Sequence, residues 1–194
     1  ALLAMVESAL AAAGGWDQVG LIAVGAGPGT FTGLRVGVAT ARALAQARGL
    51  DLAPVDSLAA LARGISDRGS RPGLALIDAR RGEAFAGLYD GEDEPIWEPF
   101  VAGPDELAKR LATLPISPRA AGDGSLRFRD RLEAAGVEVL PDADPAHRMA
   151  ARHVCGLASR APRMRPDRVT PIYLRRPDAE VWREQRAGER PAGD

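Results

Sequence analysis

Apolar residues open the chain at helical spacing. Leu2, Leu3, Val6, Leu10 and Ala13 recur along one side of a 3.6-residue repeat, and the Gly14-Gly15 pair stops it. The continuous apolar run from Val19 to Val24 predicts a fully buried strand. The Gly25-Ala-Gly-Pro-Gly-Thr30 segment predicts a tight loop, and Thr32 to Ala47 a helix that ends at Gly49. Leu52 to Val55 predicts a short strand, with Ser57 placed to cap a helix reaching about Arg63.

After the polar stretch Gly64 to Pro72 the pattern starts again. Strands are predicted at Gly73 to Asp78, Glu83 to Tyr89 and Pro95 to Val101. A helix at Pro104 to Leu114, a strand at Arg119 to Ala121 and a helix at Ser125 to Ala135 follow, then a strand at Val137 to Leu140 and a helix at Pro145 to Arg160. The first stretch has the same element order as the second, without three leading strands. That agreement predicts two equivalent lobes, each a mixed sheet flanked by helices. The expected division is residues 1–69 for an N-terminal lobe lacking its first three strands, 70–174 for a C-terminal lobe, and 175–194 for a charged, disordered tail rich in proline and glycine.

Composition narrows the function classes. The single cysteine, Cys155, excludes an internal disulfide framework, and no signal-peptide pattern or apolar run of transmembrane length is present. A cytoplasmic protein without membrane contact is expected. With 25 basic and 26 acidic residues the chain has no overall field to draw nucleic acid, so any RNA it serves is expected to be held by another subunit. On one predicted helix His147 and His153 point about 120° apart, which reads as surface or packing residues and not as a metal pair.

A glycine-rich turn between a strand and a helix is a common phosphate site. The phosphate loop of nucleotide hydrolases needs lysine and then serine or threonine after its last glycine, whereas Gly33 precedes Leu34 and Arg35. The dinucleotide fingerprint needs a third glycine where Thr30 or Thr32 stands. Spacing leaves two readings open: a stiff turn capped by Thr30 or Thr32, or an anion site.

The letters are more specific than the spacing. The run Gly27, Pro28, Gly29, Thr30, Phe31, Thr32, Gly33, Leu34, Arg35, followed by a small-residue helix, closely resembles the GPGSFTGLRIG signature of the TsaB (YeaZ) family. Val55-Asp-Ser-Leu58, Asp78-Ala-Arg-Arg-Gly-Glu83 and Pro171-Ile-Tyr-Leu-Arg175 match in the family's order. The resemblance implies an actin-like fold of the hexokinase and Hsp70 type. It also implies the role of a non-catalytic scaffold in synthesis of threonylcarbamoyladenosine in tRNA. The implied partners are the catalytic subunit TsaD and the ATPase TsaE, with a homodimer as an alternative and tRNA met only through the complex.

The catalytic paralogue shares the glycine loop but carries a V-N-H-x-x-x-H pattern at its next strand end, two imidazoles one turn apart for a metal. Here Ser57 and Leu61 stand at those positions, so the resemblance implies neither a metal site nor a catalytic residue in this chain. No cofactor is expected on the chain alone, and ATP or ADP binding is left open for the assembled complex. Gly122-Asp-Gly124 reads as a turn in preference to a nucleotide contact, and Arg80 and Arg81 as a hairpin tip able to meet an acidic surface or phosphate.

The helix from Thr32 to Ala47 has two apolar faces, and periodicity leaves open whether the second packs on the chain's own helix Leu2 to Ala13 or on a partner; the resemblance implies the partner, because TsaB-type proteins dimerise through their first two helices. Gly33, Gly37, Ala41 and Ala45 form a smooth stripe, and the expected interface comprises Leu2, Val6, Leu10, Gly37, Val38, Ala41, Arg42 and Ala45. The alternatives are a self-sufficient enzyme, either a nucleotide-dependent transferase or a glycoprotease-like peptidase, and a homodimeric binding module.

Overall fold

A computed structural model describes residues 2–65 and 71–175. The charged tail expected from 175 onward therefore lies, apart from Arg175, outside the described residues. The elements run α1 (Leu2–Ala13), β1 (Ile22–Gly27), α2 (Phe31–Arg48), β2 (Leu52–Asp56) and α3 (Ser57–Arg63). Then come β3 (Gly73–Arg80), β4 (Glu83–Tyr89), β5 (Pro95–Ala102), α4 (Pro104–Leu111), β6 (Arg119–Ala121), α5 (Asp123–Arg127), α6 (Arg129–Ala134), β7 (Glu138–Val139) and α7 (Ala151–Ala158).

Two sheets carry the fold. β1 and β2 pair in parallel, Ile22 opposite Leu52 and Gly25 opposite Val55, while the second sheet is mixed in the order β5-β4-β3-β6-β7. The first sheet is thus a parallel pair, the two strands expected of a lobe without its three leading strands. One of its faces is covered by α2 through Val38, Ala41 and Ala45, packed with Val24, Leu52 and Val169. The other is covered by α7 and α3, where Val154 and Ala158 meet Ala53, Val55 and Ala60. The second sheet buries Leu74, Leu76, Ala86 and Leu88 under α4 and α6, whose Leu107, Leu111 and Leu132 fill the same core.

The chain then returns to where it started. α7, which element order assigns to the second lobe, lies on the first sheet, and beyond it Met164 pairs antiparallel with Leu52 through bonds of 2.9 and 2.8 Å. α3 has the reverse character: its Leu58, Leu61 and Ala62 pack on Ala75, Phe85 and Tyr89 of the second sheet. The two sheets are therefore joined by shared helices as well as by chain.

Several boundaries differ from the sequence reading, each for a local reason. The first strand lies three residues later, so Gly25 and Gly27 belong to it and not to the loop. The helix expected over Ser125 to Ala135 breaks at Phe128, which leaves helical geometry and buries its ring with Leu132 and Val137. The helix expected over Pro145 to Arg160 is a short 3-10 turn at Pro145–His147 capped by Asp144, an extended link, and α7. His147 and His153 consequently lie on separate elements.

Candidate functional site

The signature run forms the end of β1, a tight turn and the first turns of α2. Gly27 has φ 130°, and a Cβ there would sit 2.4 Å from the carbonyl oxygen of Ile172. Only glycine tolerates both conditions. The close approach exists because the Ile172 N–H donates to Ala26 O at 2.7 Å, laying the Pro171-to-Arg175 segment along the end of β1. Gly33 is constrained in a second way: a Cβ there would meet Thr30 Oγ1 at 2.6 Å. Thr30 is the N-cap residue of α2, yet its side chain makes no capping bond; its backbone oxygen accepts from Leu34 N at 2.9 Å. Gly27 therefore seats another stretch of backbone, while Gly33 leaves room for the Thr30 side chain.

On the outer side, three signature and C-terminal side chains lock together. The Arg35 guanidinium stacks 3.9 Å from the Phe31 ring centre and donates through Nε to the Tyr173 hydroxyl at 3.2 Å, while the Phe31 and Tyr173 rings lie 5.5 Å apart. Beside them opens a cleft of about 430 Å³ lined by Pro28–Phe31, Asp78–Arg81, Phe85 and Ile172–Arg175. Three separate parts of the sequence meet there.

The β3–β4 hairpin forms the basic rim. Arg80, Arg81 and Gly82 have φ of 63°, 53° and 78°, so the tip is a left-handed turn of the kind that suits a two-residue hairpin. Asp78 holds it from within, binding Arg127 Nη1 with both carboxylate oxygens at 2.8 and 2.9 Å and accepting the Arg80 N–H at 2.9 Å. Arg175 closes the far end by donating to Ala79 O at 2.9 Å and pairing with Glu83. Among the described residues three arginines and one aspartate line the cleft alongside apolar and aromatic walls, with the hydroxyls of Thr30 and Tyr173 and no histidine, cysteine or serine.

Ser57 and Leu61 are both buried, at 3% and 2% exposure, inside the shared helix α3. The cap assigned to Ser57 belongs to Asp56, whose Oδ1 accepts from Leu58 N at 2.7 Å and Ala59 N at 3.3 Å. Its other oxygen accepts from the Tyr89 hydroxyl at 3.0 Å, joining β2 to the second sheet. Burial raises the Asp56 carboxyl above its ordinary range despite these three donors, and burial with the neighbouring Asp56 charge raises Tyr89. Among the described residues no group of three or more His, Cys, Asp or Glu side chains is placed to hold a metal.

Gly122-Asp-Gly124 starts α5 pressed against β3. A Cβ on Gly122 would fall 2.0 Å from Leu76 O, and Asp123 Oδ1 accepts from Asp78 N at 2.8 Å. Gly122 N donates to His147 Nδ1 at 3.1 Å, and His147 Nε2 faces Pro141 O at 3.0 Å, so this histidine fastens backbone to backbone. No sequence pattern pointed to that pairing across 25 residues.

The expected partner residues divide between inside and outside. Val38, Ala41 and Ala45, at most 7% exposed, are in the chain's own core, because the face they share with Leu34 lies on the β1–β2 sheet. They are corrected to core residues. Gly37 and Arg42 are half-buried. The outward face of α2 is instead Gly33, Val36, Ala39 and Ala43. α1 buries none of its residues: Leu2 is exposed, and Val6 and Leu10 are half-covered.

Comparison with known proteins gives this geometry a family. The family model described as TsaD, tRNA N6-adenosine threonylcarbamoyltransferase, matches residues 1–125. The tRNA threonylcarbamoyladenosine biosynthesis protein TsaB of Escherichia coli is 29% identical over 183 residues, spanning 90% of this chain and 79% of that protein. An uncharacterized protein of Mycobacterium leprae is 34% identical over 183 residues, 92% of this chain and 43% of its own longer length. Among solved structures, a Pseudomonas aeruginosa protein described as similar to the peptidase YeaZ superposes with a TM-score of 0.73 at 29% identity, covering 90% of this chain and 82% of that one. The chain belongs to the family of that model, in its TsaB (YeaZ) branch, and has the two-sheet actin-like architecture of the YeaZ structures.

Proposed function

We propose that this chain is a non-catalytic subunit in the synthesis of threonylcarbamoyladenosine in tRNA, pairing with a TsaD-type catalytic subunit and working with a TsaE-type ATPase. The observation that carries the pairing is α1, whose Leu2, Leu3 and Met5 stand 44%, 57% and 72% exposed, beside an outward α2 face of small residues and Val36. An apolar helix with no core of its own among the described residues is suited to burial against a second protein. The same surface serves a homodimer when the catalytic subunit is absent. Ser57 and Leu61 support the non-catalytic half of the reading. They occupy the positions where the catalytic paralogue places its two imidazoles, and neither supplies a metal ligand.

Against the peptidase reading attached to a solved relative stand the positions of three described side chains that such chemistry would call on. Ser57 is buried in α3, the Ser125 hydroxyl donates to Gly122 O at 2.7 Å, and His147 is engaged by backbone on both ring nitrogens. Co-expression with the catalytic subunit of the same genome, followed by size-exclusion chromatography, tests the proposal. A mixed complex is the expected result; two proteins eluting separately at micromolar concentration would count against it.

A further inference from the structure

The near-zero net charge conceals a sharp asymmetry. Between positions 148 and 168 lie Arg148, Arg152, Arg160, Arg163, Arg165 and Arg168, with Asp167 as the single acidic residue. All six arginines are exposed. The fold turns them outward. On α7, Val154 and Ala158 face the first sheet, leaving Arg152 on the opposite side. In the return segment Met164 pairs with Leu52 and packs inward, so its neighbours Arg163 and Arg165 project away from the core.

Elsewhere the arginines are largely neutralised. Arg63 meets Asp93, Arg71 and Arg119 meet Glu138, Arg127 meets Asp78, and Arg129 meets Glu133 and Asp142. In the 148–168 run, Asp167 alone answers Arg165 and Arg168, and Arg160 donates to a backbone oxygen, Glu92 O, at 3.1 Å. Among the described residues Arg148, Arg152 and Arg163 form no ion pair, although Asp123, Asp142 and Asp144 line the same hollow as Arg148 and Arg152; guanidiniums left in this state are suited to planar, bidentate recognition of phosphate.

We propose that the arginine run from Arg148 to Arg168 is a docking surface for the phosphates of RNA, so that this chain touches the RNA itself and does not leave it wholly to a partner subunit. The choice of RNA rests on the proposed function; the strip rests on the charge pattern alone. An anionic membrane fits less well, because Met149 is the one large apolar side chain exposed along the run and a membrane-binding surface needs an apolar face as well as a basic one.

Fluorescence anisotropy of the full chain with labelled tRNA, across a series of salt concentrations, tests this. With four arginines on phosphates, raising monovalent salt from about 50 to about 200 mM is expected to weaken binding roughly 100-fold. The triple variant Arg152→Ser, Arg163→Ser, Arg165→Ser is expected to bind at least tenfold more weakly at about 100 mM salt, with a salt slope shallower by about 3. A charge-matched triple on the second sheet side, Arg71→Ser, Arg110→Ser, Arg131→Ser, is expected to bind like wild type.

A wild-type slope in the first triple, or equal loss in both, overturns the proposal. So does binding to phosphatidylglycerol vesicles that matches the tRNA affinity and is lost in the same triple, which would make the run a membrane surface. A chain that forms the mixed complex but binds no tRNA overturns this proposal alone. Salt-dependent tRNA binding without a mixed complex overturns only the proposed subunit role.

Discussion

Replacing Gly27 with alanine is expected to loosen the whole C-terminal return of the chain. The added Cβ meets Ile172 O at 2.4 Å and Ile172 C at 3.3 Å, and both are backbone atoms that no rotamer change can move. The φ of 130° is itself strained for an L-residue, a cost of about 1–3 kcal/mol. Moving Ile172 aside also breaks its bond to Ala26 O, adding about 0.5–1.5 kcal/mol. The sum is roughly 2–4 kcal/mol, which for a chain of this length lowers Tm by roughly 5–15 °C. Gly37→Ala is the control: nothing lies within 4 Å of its added Cβ, and in a helix interior the change is expected to stabilise by about 0.5–1 kcal/mol. Thermal denaturation followed by circular dichroism reads both, and hydrogen exchange at residues 171–175 reports the local effect. Gly27→Ala melting within about 2 °C of wild type would refute the assignment of this glycine to backbone seating.

On the two faces of α2, Val38→Glu is expected to unfold the protein or leave it insoluble, because it places an unpaired carboxylate in the first core. Val36→Glu is expected to leave the circular dichroism spectrum unchanged and weaken the mixed complex at least tenfold in a pull-down; full-strength binding by a folded Val36→Glu would move the interface off α2. For Asp56, a carboxyl held above its ordinary value gives stability that is greatest below that value and declines as pH rises through the raised one. Asp56→Asn, which keeps a capping oxygen, is therefore expected to flatten urea stability between pH 4 and pH 8 and to be no less stable than wild type at pH 7; a variant with the wild-type pH slope refutes this. With Ser57 and Leu61 in place of a ligand pair, purified protein is expected to hold no stoichiometric transition metal by elemental analysis, and one iron or zinc per chain would contradict that.

Where one local rule decides, the sequence alone was sufficient. Gly49 ends α2 in left-handed geometry where the pattern placed the stop, and the β4 strand runs from Glu83 to Tyr89 as its apolar run after the hairpin turn predicted. Reading failed where a decision depended on distant chain. Asp56 and Ser57 are both good capping residues, and the Tyr89 hydroxyl that helps to anchor Asp56 comes from another sheet. α2 is small or apolar around most of its circumference, so periodicity could not say which face lies on β1 and β2. The helix break at Phe128 follows from a core that buries its ring, which no residue in the window signals. Of the candidate site, the signature residues were legible by resemblance. The cleft was not, since its walls come from positions near 30, 80 and 174. The arginine run was readable all along, but a whole-chain charge sum averaged it away.

The return of the chain also sets an order of events during synthesis. The bond from Arg35 to Tyr173 spans 138 positions, and Leu52 finds its antiparallel partner only at Met164. A ribosome that has just released α3 has supplied β1, α2 and β2 but none of the covering from α7 onward. The second sheet, whose strands and helices lie close together in the chain, can close first. The first must wait for the arginine-rich stretch to emerge, and until then its apolar surface is open to the solvent. A translational pause placed after β7 should therefore leave a nascent protein with one finished half and one that chaperones still recognise.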